Sequence, residues 1–410
     1  MVSRRTQLGR WLLLVALLVA VGCVAPRRVP PADIGGPGRW QSADTVPPRP
    51  VPASDESLGG FQLVGHSVPA ARPLKPRTIL ALSGGGMFGA YTVGVLNGWS
   101  KAGNRPTFDV VTGISTGALI APLAFLGLEH DPHLSKMYTS ITRRDVFAYR
   151  SWAILPFRDA LATTGPLRAN VETTISEEVV LALAAEHRKG RRLYIGTTNL
   201  DTKRFNTWDL GAIATQGGKP ARKLIVDLMV ASCSLPGVFP PVPIEVELDG
   251  KRYTELHVDG GMTSPLFVPT SVLDAAALDP SRPVAAQTPA TLFVVLAGKA
   301  FVDPGPVDAR LLPVLGAGAA ALVSALTRLE VANLYHICRL GGIHFQMTSL
   351  ANDFPTPAGG LEFVRPEMNK LFDEGVRVGS SGPLWLSAPP ERGTAEIDGI
   401  RTGNRFRSGR

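Results

Sequence analysis

Residues 108–126 read FDVVTGISTGALIAPLAFL. An apolar segment with Val110 and Val111 precedes the turn Gly113-Ile114-Ser115-Thr116-Gly117, and a second apolar run follows it. Glycines at both ends of the turn allow a tight reversal from strand to helix, which lifts the central side chain out of the packed surface. The stretch therefore predicts a buried strand, a sharp turn and a helix, with Ser115 as a candidate nucleophile.

A second glycine-rich loop lies upstream, again between a predicted strand and a predicted helix. The strand covers residues 78–83, and the loop reads Gly84-Gly85-Gly86-Met87-Phe88-Gly89. Exposed N–H groups of such a loop suit an oxyanion hole. Its glycines also fit a dinucleotide-binding fingerprint, which requires an acidic residue at the end of the second strand. Because Asp109 stands at the beginning of that strand, dinucleotide binding is disfavoured.

A third motif, His257-Val258-Asp259-Gly260-Gly261, follows an extended segment. A serine hydroxyl attacks an ester only when a base removes its proton. A carboxylate at the end of a strand can reach a serine on a neighbouring loop and serve as that base. The alternative for Asp259 is a local cap of a tight turn.

The remaining sequence alternates between strand patterns and helix patterns. This alternation predicts an α/β fold with a mostly parallel sheet that is covered by helices on both faces. Further strands are predicted at residues 193–198, 248–258, 291–296 and 343–348, and helices at residues 90–99, 118–126, 175–186, 226–232, 313–340 and 367–378.

Together, the three motifs resemble those of the patatin-like phospholipase family. Three other segments fit the family pattern: ASCSLPGVFPPV at residues 231–242, TGPL at residues 164–167 and LFDEG at residues 371–375. The resemblance extends from about residue 77 to about residue 379. It implies a three-layer α/β/α patatin-like fold with a mostly parallel central sheet.

The resemblance also implies an activity and its residues. We expect a serine acyl-ester hydrolase of phospholipase A, lysophospholipase or lipase type, acting on phospholipid or another acyl-ester lipid. Ser115 matches the nucleophile and Asp259 the base of a Ser–Asp dyad, and no metal or cofactor is implied. The oxyanion loop is matched by Gly84, Gly85 and Gly86, and the glycines that support the motifs are Gly89, Gly113, Gly117, Gly260 and Gly261.

One position departs from the family pattern. The family loop often has Arg or Lys just before its last glycine, where this chain has Phe88. The missing cation could weaken stabilisation of an oxyanion or a phosphate, or favour less charged esters. An alternative function is therefore a catalytically weak patatin-fold protein that binds lipids or proteins at the cell envelope. A hydrolase that acts on proteins has no support beyond the nucleophile.

A Ser–Asp–His triad is the alternative to the dyad. Its order along the chain requires a histidine after Asp259, which His336 and His344 satisfy. His344 follows two glycines in a predicted strand and is the better candidate, because His336 lies within a predicted helix. His257 shares a strand face with Asp259 but precedes it.

The N-terminal region predicts an exported lipoprotein. Arg4, Arg5 and Arg10 precede an uncharged apolar run at residues 11–21, which is too short to span a bilayer easily. Ala20-Val21-Gly22-Cys23 resembles a bacterial lipobox, so residues 1–22 are predicted to be a signal peptide and Cys23 the lipidated residue. Since Val24 follows, we expect lipid anchoring to the outer membrane, on the periplasmic face or the cell surface. A cut nearby or a retained anchor is the alternative.

Three further segments complete the predicted domain organisation. Residues 23–72 are predicted to be a disordered tether, because residues 24–52 hold 8 prolines and too few apolar residues to form a core. Residues 73–380 are predicted to form the patatin-like domain. Residues 381–410 are predicted to be a flexible basic tail.

Charge and cysteine content exclude some classes of protein. The formal charge of +8 falls to +5 without the three signal arginines and is spread along the chain, so nucleic-acid binding is not indicated. No Cys/His cluster has the spacing of a zinc site. Besides Cys23, the chain has Cys233 and Cys338, which an exported protein could pair. No oligomeric state is predicted.

The uncharged run LLPVLGAGAAALVSAL at residues 311–326 allows two interpretations. A buried helix that covers the sheet is favoured. A lid or an interfacial helix is the alternative.

Overall fold

The computed structural model describes residue 27 and residues 75–151, 159–248, 251–357, 359–381 and 385–390. The predicted signal peptide with Cys23 and almost all of the predicted tether lie outside the described residues, as does the tail after residue 390.

Strands of the described chain form one large sheet and one small hairpin. They are β1 (Thr78–Leu82), β2 (Val110–Gly113), β3 (Ala148–Tyr149), β4 (Ala162–Thr163), β5 (Arg192–Asn199), β6 (Arg204–Asp209), β7 (Val242–Leu248), β8 (Lys251–Asp259), β9 (Thr291–Lys299) and β10 (His344–Leu350). The large sheet has the order β10-β9-β1-β2-β5-β8-β7, with β6 also paired to β5, and β3 pairs with β4. Strands β10, β9, β1, β2 and β5 are parallel, whereas β6, β7 and β8 are antiparallel to their neighbours.

Helices cover both faces of this sheet. They are α1 (Gly89–Lys101), α2 (Thr116–Leu126), α3 (Asp131–Thr139), α4 (Arg143–Val146), α5 (Gly165–Thr174), α6 (Glu177–Arg188), α7 (Leu210–Gln216), α8 (Gly218–Ser232), α9 (Thr270–Ala276), α10 (Leu311–Gly341) and α11 (Arg365–Ser380). Alternate residues of β1 point to opposite faces: Leu80 and Leu82 belong to one core layer, Ile79 and Ala81 to the other. The predicted mostly parallel sheet between two helical layers is confirmed.

Helices α1 and α11 approach so closely that only glycine fits between them. A Cβ on Gly94 would lie 2.1 Å from the carbonyl oxygen of Phe372, and one on Gly375 would lie 2.2 Å from that of Tyr91. This contact explains the glycine of the LFDEG segment. It fixes the helix that follows the first glycine-rich loop.

The antiparallel strands are the main departure from the predicted topology. The predicted strand at residues 248–258 is observed as β8, and its partner β7 was not predicted. A βα alternation indicates parallel strands, but a short connection between β7 and β8 forms a hairpin instead.

Two residues that follow residue 380, the predicted end of the domain, contact the sheet. Trp385 packs against Trp99 and Phe293, with ring centroids 4.7 and 5.2 Å apart. Leu386 forms an antiparallel bridge with Met347. Trp385 thus packs against the sheet after residue 380, while Leu386 is 45% exposed.

The apolar run at residues 311–326 forms the first half of α10, and it does not cover the sheet. Leu315 and Leu322 are 60% and 67% exposed, whereas Val331, Leu334 and Cys338 in the second half are buried. The favoured interpretation of this run as a buried helix is wrong. Cys233 and Cys338 are both free and buried, in different core layers, and are not paired.

Candidate active site

Ser115 occupies a strained backbone conformation in the turn between β2 and α2. Its φ is 52° and its ψ is −121°, which non-glycine residues rarely adopt. A Cβ on Gly113 would lie 2.4 Å from the Gly117 carbonyl oxygen, and one on Gly117 would lie 2.5 Å from that of Leu82. Both glycines are therefore required by packing, and the turn holds a half-buried Ser115 at the carboxyl end of β2.

Asp259 meets Ser115 because two strands end at the same point on β5. Strand β2 pairs with residues 192–195 of β5, and β8 pairs with residues 197–199 in the opposite direction. Residues 194–199 use their other edge for β6. Strands β2 and β8 therefore lie end to end along one edge of β5, and both run toward Gly196.

The junction at Gly196 leaves no room for larger residues. A Cβ on Gly196 would lie 2.4 Å from Cδ1 of Ile114, and one on Gly260 would lie 2.6 Å from the Gly196 carbonyl oxygen. The turns that follow β2 and β8 are thus packed directly against each other. This packing explains why the motif around Asp259 continues with glycine.

Asp259 is buried beside the nucleophile candidate. Burial raises the pKa of its carboxyl group to about 6, while the Gly261 N–H and the Ser115 hydroxyl lower that pKa through hydrogen bonds. The Gly261 N–H donates to Oδ1 at 2.7 Å. Asp259 is therefore ionised at neutral pH but more basic than an exposed aspartate, which suits a general base.

Ser232 hydrogen-bonds to both the Ser115 turn and Gly196, and this role was not predicted from the sequence. Its Oγ accepts a hydrogen bond from the Ser115 N–H at 3.0 Å and donates to the Gly196 carbonyl at 2.7 Å. Ser232 is fully buried at the end of α8. It therefore connects the turn at Ser115 to the point where β2 and β8 meet. The only sequence signal for it was its place in the ASCSLPGVFPPV segment.

The first glycine-rich loop passes directly beside Ser115. A Cβ on Gly84 would lie 3.2 Å from Cβ of Ser115. The Gly84 N–H donates to the Pro265 carbonyl at 3.2 Å, whereas within the described chain the N–H groups of Gly85 and Gly86 donate to no backbone acceptor. Of the predicted oxyanion residues, Gly85 and Gly86 thus remain the candidate donors.

Backbone atoms of other loops enclose these glycines. A Cβ on Gly85 would lie 2.3 Å from the Ala297 carbonyl oxygen, and one on Gly86, whose φ is +58°, would lie 2.2 Å from that of Gly360. A Cβ on Gly89 would lie 2.2 Å from Oγ1 of Thr116. Each substitution would displace the loop from Ser115.

A cavity of about 510 Å³ opens at Ser115 and Gly86. This volume is within the range of small-molecule sites. Besides Ser115, the polar and charged residues of its lining are Thr116, His133, Lys136, Tyr138, Ser140, Asp145, Asn170, Thr173, Thr174 and Arg365. Apolar side chains of its lining are Leu119, Met137, Ile141, Val146, Leu167, Val171, Phe239, Leu361 and Phe363.

Residues 80–274 match a family model described as patatin-like phospholipase. The chain carries a patatin-like phospholipase domain. The family is one of lipid acyl hydrolases. A solved structure, that of VipD from Legionella pneumophila, is similar with a TM-score of 0.34 and 12% sequence identity over 84% of this chain and 72% of that chain. No curated protein matches the sequence.

Phe88 of the patatin-like domain packs against neighbouring loops. Its ring lies about 3.8 Å from the positions that a Cβ on Gly298 or Gly360 would take. The side chain also packs against the larger core layer. An aromatic contact therefore occupies the position where related loops often have a cation.

The candidate histidines of a triad lie elsewhere. His344 is the first residue of β10, which runs parallel to β2, so it lies at the opposite end of the sheet from Ser115. His336 lies within α10. The buried His257 is held by Thr197 and Glu255, each at 3.0 Å. No described histidine hydrogen-bonds to Ser115 or Asp259, so the triad gains no support.

Cys233 lines the cavity, but its thiol is not activated. Burial raises its pKa well above the ordinary value, and the charge of Asp259 raises it further. Since the thiolate is the reactive form, Cys233 stays a neutral side chain. Ser115 is the better nucleophile candidate of the two.

Proposed function

We propose that this chain hydrolyses acyl esters of lipids, with Ser115 as the nucleophile and Asp259 as the base. The observation that carries the proposal is the junction at Gly196, where Asp259 meets the strained turn of Ser115, which lines the cavity. Phospholipids are the substrate class that the family suggests.

The first half of the reaction transfers the acyl group to the enzyme. Asp259 accepts the hydroxyl proton while Oγ of Ser115 attacks the ester carbonyl. The carbonyl oxygen becomes an oxyanion, which the N–H groups of Gly85 and Gly86 are proposed to stabilise. The bond from carbon to the alcohol oxygen then breaks, and the alcohol leaves with the proton from Asp259.

The second half restores the free enzyme. A water molecule gives a proton to Asp259 and attacks the acyl-enzyme through the same oxyanion site. The bond between the acyl carbon and Oγ breaks, and Ser115 recovers its proton from Asp259. The fatty acid is released, and the reaction requires no group beyond these residues and water.

The lining of the cavity supports a long-chain acyl substrate. Its apolar side chains, among them Leu167 and Phe363, suit a hydrocarbon chain. Lys136 and Arg365 lie in the same lining and are proposed to attract a lipid phosphate. We propose that the enzyme acts at the cell envelope, held at the outer membrane by lipid on Cys23.

A catalytically weak lipid-binding protein is the second candidate function. The observation that favours it is Phe88, since no cation stands at that position of the loop. The backbone N–H groups of Gly85 and Gly86 are unaffected by this replacement, so hydrolysis remains the leading proposal.

Labelling with a fluorophosphonate probe tests the proposed function. We expect the wild type to be labelled and to cleave a soluble short-chain ester, and both activities to be lost in Ser115→Ala and reduced strongly in Asp259→Asn. The matched control is Ser234→Ala, because Ser234 is also buried and its hydroxyl donates only to the Val230 carbonyl of its own turn. A wild type that neither reacts with the probe nor cleaves the ester would exclude the hydrolase.

A further inference from the structure

Helix α10 consists of two halves with different surroundings. In its second half, Val331, Leu334 and Cys338 are buried against the sheet layer. Its first half projects from the domain, and only 6% of the most apolar 18-residue window within residues 313–341 is buried. The helix is long and apolar enough to cross a membrane by composition. However, its second half packs in the protein core, so the whole helix does not span a membrane in this fold.

The projecting half begins at the end of the sheet that carries Ser115. Arg328 lies beside Phe301, and its guanidinium carbon is 5.9 Å from the centre of the Phe301 ring. Phe301 lies two residues after the end of β9. Two residues after Arg328, Oε1 of Glu330 accepts a hydrogen bond from the Ser264 hydroxyl at 3.2 Å. Ser264 lies just after the Asp259 turn. Residues 311–327 therefore extend beyond the carboxyl end of the strands, over about 25 Å.

Three exposed leucines of this half, and a fourth just after it, form one stripe along the helix. At about 100° per residue, Leu311, Leu315, Leu322 and Leu329 fall within about 40° of one another around the helix axis. The buried residues of the second half lie on the opposite side, about 140–200° away. Consequently, the leucine stripe faces away from the domain. The four leucines are 73%, 60%, 67% and 64% exposed.

The composition of this half indicates what covers it. Residues 311–326 have no charged side chain. Exposed apolar residues are normally scattered, but six of the fifteen large ones among the described residues lie within residues 302–322. A protein groove would cover one stripe of a helix, whereas here no side of residues 311–326 carries a charge. A lipid surface accommodates such a helix on every side.

We propose that residues 311–326 insert into the surface of a phospholipid bilayer, with the leucine stripe toward the acyl chains. The inserted helix holds the carboxyl end of the sheet, and hence Ser115, next to the membrane. This second consequence rests on the proposed lipid hydrolase. Insertion itself does not depend on catalysis, and the two can be tested separately.

A fluorophore at single positions of the full chain tests insertion. The environment-sensitive dye NBD is attached to Leu315→Cys or Leu322→Cys, and the protein is bound to vesicles of phosphatidylcholine and phosphatidylglycerol that contain nitroxide-labelled acyl chains. The matched control is Leu181→Cys, because Leu181 is 65% exposed on α6, on the other helical layer. The unsubstituted chain gives the background from native cysteines. The readout reports the labelled residue, so an anchor elsewhere in the chain does not produce it.

We expect the nitroxide lipids to quench the dye at positions 315 and 322 but not at position 181. Equal quenching at all positions, or none at positions 315 and 322, would overturn the proposal. Quenching at positions 315 and 322, together with a wild type that cleaves no ester, would exclude the hydrolase and leave insertion standing. Ester cleavage by the wild type without quenching at positions 315 and 322 would exclude insertion and leave the proposed hydrolase standing.

Activity gives a second and independent readout. In Leu315→Lys/Leu322→Lys, hydrolysis of vesicle phospholipid should fall roughly tenfold or more relative to hydrolysis of a soluble ester, because two apolar side chains no longer enter the bilayer. Leu181→Lys should leave this ratio unchanged. An unchanged ratio in the double variant would contradict the proposed orientation.

Discussion

Glycines occur in two regions near the carboxyl end of the sheet, and their surroundings are opposite. Around Ser115, a Cβ on Gly85, Gly86 or Gly117 would lie 2.2–2.5 Å from a backbone oxygen. In the projecting half of α10, a Cβ on Gly316 or Gly318 would meet nothing within 4 Å.

The comparison shows that packing requires glycine in the first region but not in the second. In the first region it allows loops to approach until only backbone atoms fit, which brings N–H groups and the base to one serine. In the second region no contact within the described protein requires it, and the helix is uncovered. The next predictions test whether the first region tolerates less change than the second.

The largest effect is expected for Gly86→Ala. The added methyl group would lie 2.2 Å from the Gly360 carbonyl oxygen, at a residue whose φ is +58°. The loop must shift and take an oxyanion donor with it, so kcat for a soluble ester should fall about 10²- to 10³-fold. Steady-state kinetics measures this.

Gly305→Ala is the control for this prediction, because a Cβ on Gly305 meets nothing within 4 Å. It should retain wild-type kcat. Thermal unfolding of both variants separates loss of the site from loss of the fold. Wild-type kcat in a folded Gly86→Ala would show that the loop is not needed in this position.

The next effect concerns the charge that the glycine junction buries. Burial raises the pKa of Asp259 to about 6 from an ordinary value of 3.8. The folded protein thus binds this proton more tightly than the unfolded chain, so the free energy of unfolding falls as pH rises from about 4 to about 6. The total is on the order of 3 kcal/mol. Asp259→Asn, which has no such charge, should be more stable than wild type by up to this amount at pH values above about 7.

Denaturant unfolding at several pH values checks this difference, which should vanish below about pH 4. Asp227→Asn is the control, because Asp227 is also buried but forms ion pairs with Arg168 at 2.6 Å and Lys223 at 2.7 Å. It should be less stable than wild type. A pH-independent effect of Asp259→Asn would contradict the prediction.

The same proton sets the pH dependence of activity. Only ionised Asp259 can accept a proton, so kcat/KM for a soluble ester should decrease about tenfold per pH unit below about 6. A profile that stays flat down to pH 4 would exclude Asp259 as the base.

Ser232→Ala should have a smaller effect. It leaves the Gly196 carbonyl and the Ser115 N–H without their partner at 2.7 and 3.0 Å. Loss of these buried hydrogen bonds should lower the free energy of unfolding by about 1–3 kcal/mol and slow labelling of Ser115 by a fluorophosphonate. Ser234→Ala, which removes a hydroxyl that bonds only within its own turn, should label at the wild-type rate. Equal labelling rates would show that Ser232 does not position the nucleophile.

Much of the packed region could be predicted from the sequence. The turn of Ser115 and the first loop are local patterns, since each lies between one strand and the next helix. Asp259 was also identified from the sequence, but the way in which the fold brings it to Ser115 was not predicted. Strand β8 runs antiparallel to β5 and meets β2 end to end along the same edge of β5. Such pairing joins residues 58 to 82 positions apart, and local patterns do not encode it. Ser232 was missed for the same reason.

The uncovered region could not be predicted in the same way. The uncharged run at residues 311–326 has the composition of a buried helix, and a lipid-facing helix has the same composition. What separates the two is whether other parts of the chain cover the run, which depends on the length of the strands beside it. Likewise, Trp385 follows a predicted boundary, and only the aromatic contacts with Trp99 and Phe293 show that it packs against the sheet.

The smallest effect is expected for Gly316→Ala, in the uncovered region. Glycine in a helix interior is less favourable than alanine by up to about 1 kcal/mol, and the added methyl group meets no atom within 4 Å. Alanine should therefore slow hydrogen exchange of amides in residues 311–326 by up to about fivefold, with wild-type hydrolysis of a soluble ester. Faster exchange or lower activity would reveal a contact that needs glycine here. The distinction between the two regions would then fail, because Gly316 would belong with Gly86 among the glycines that packing requires.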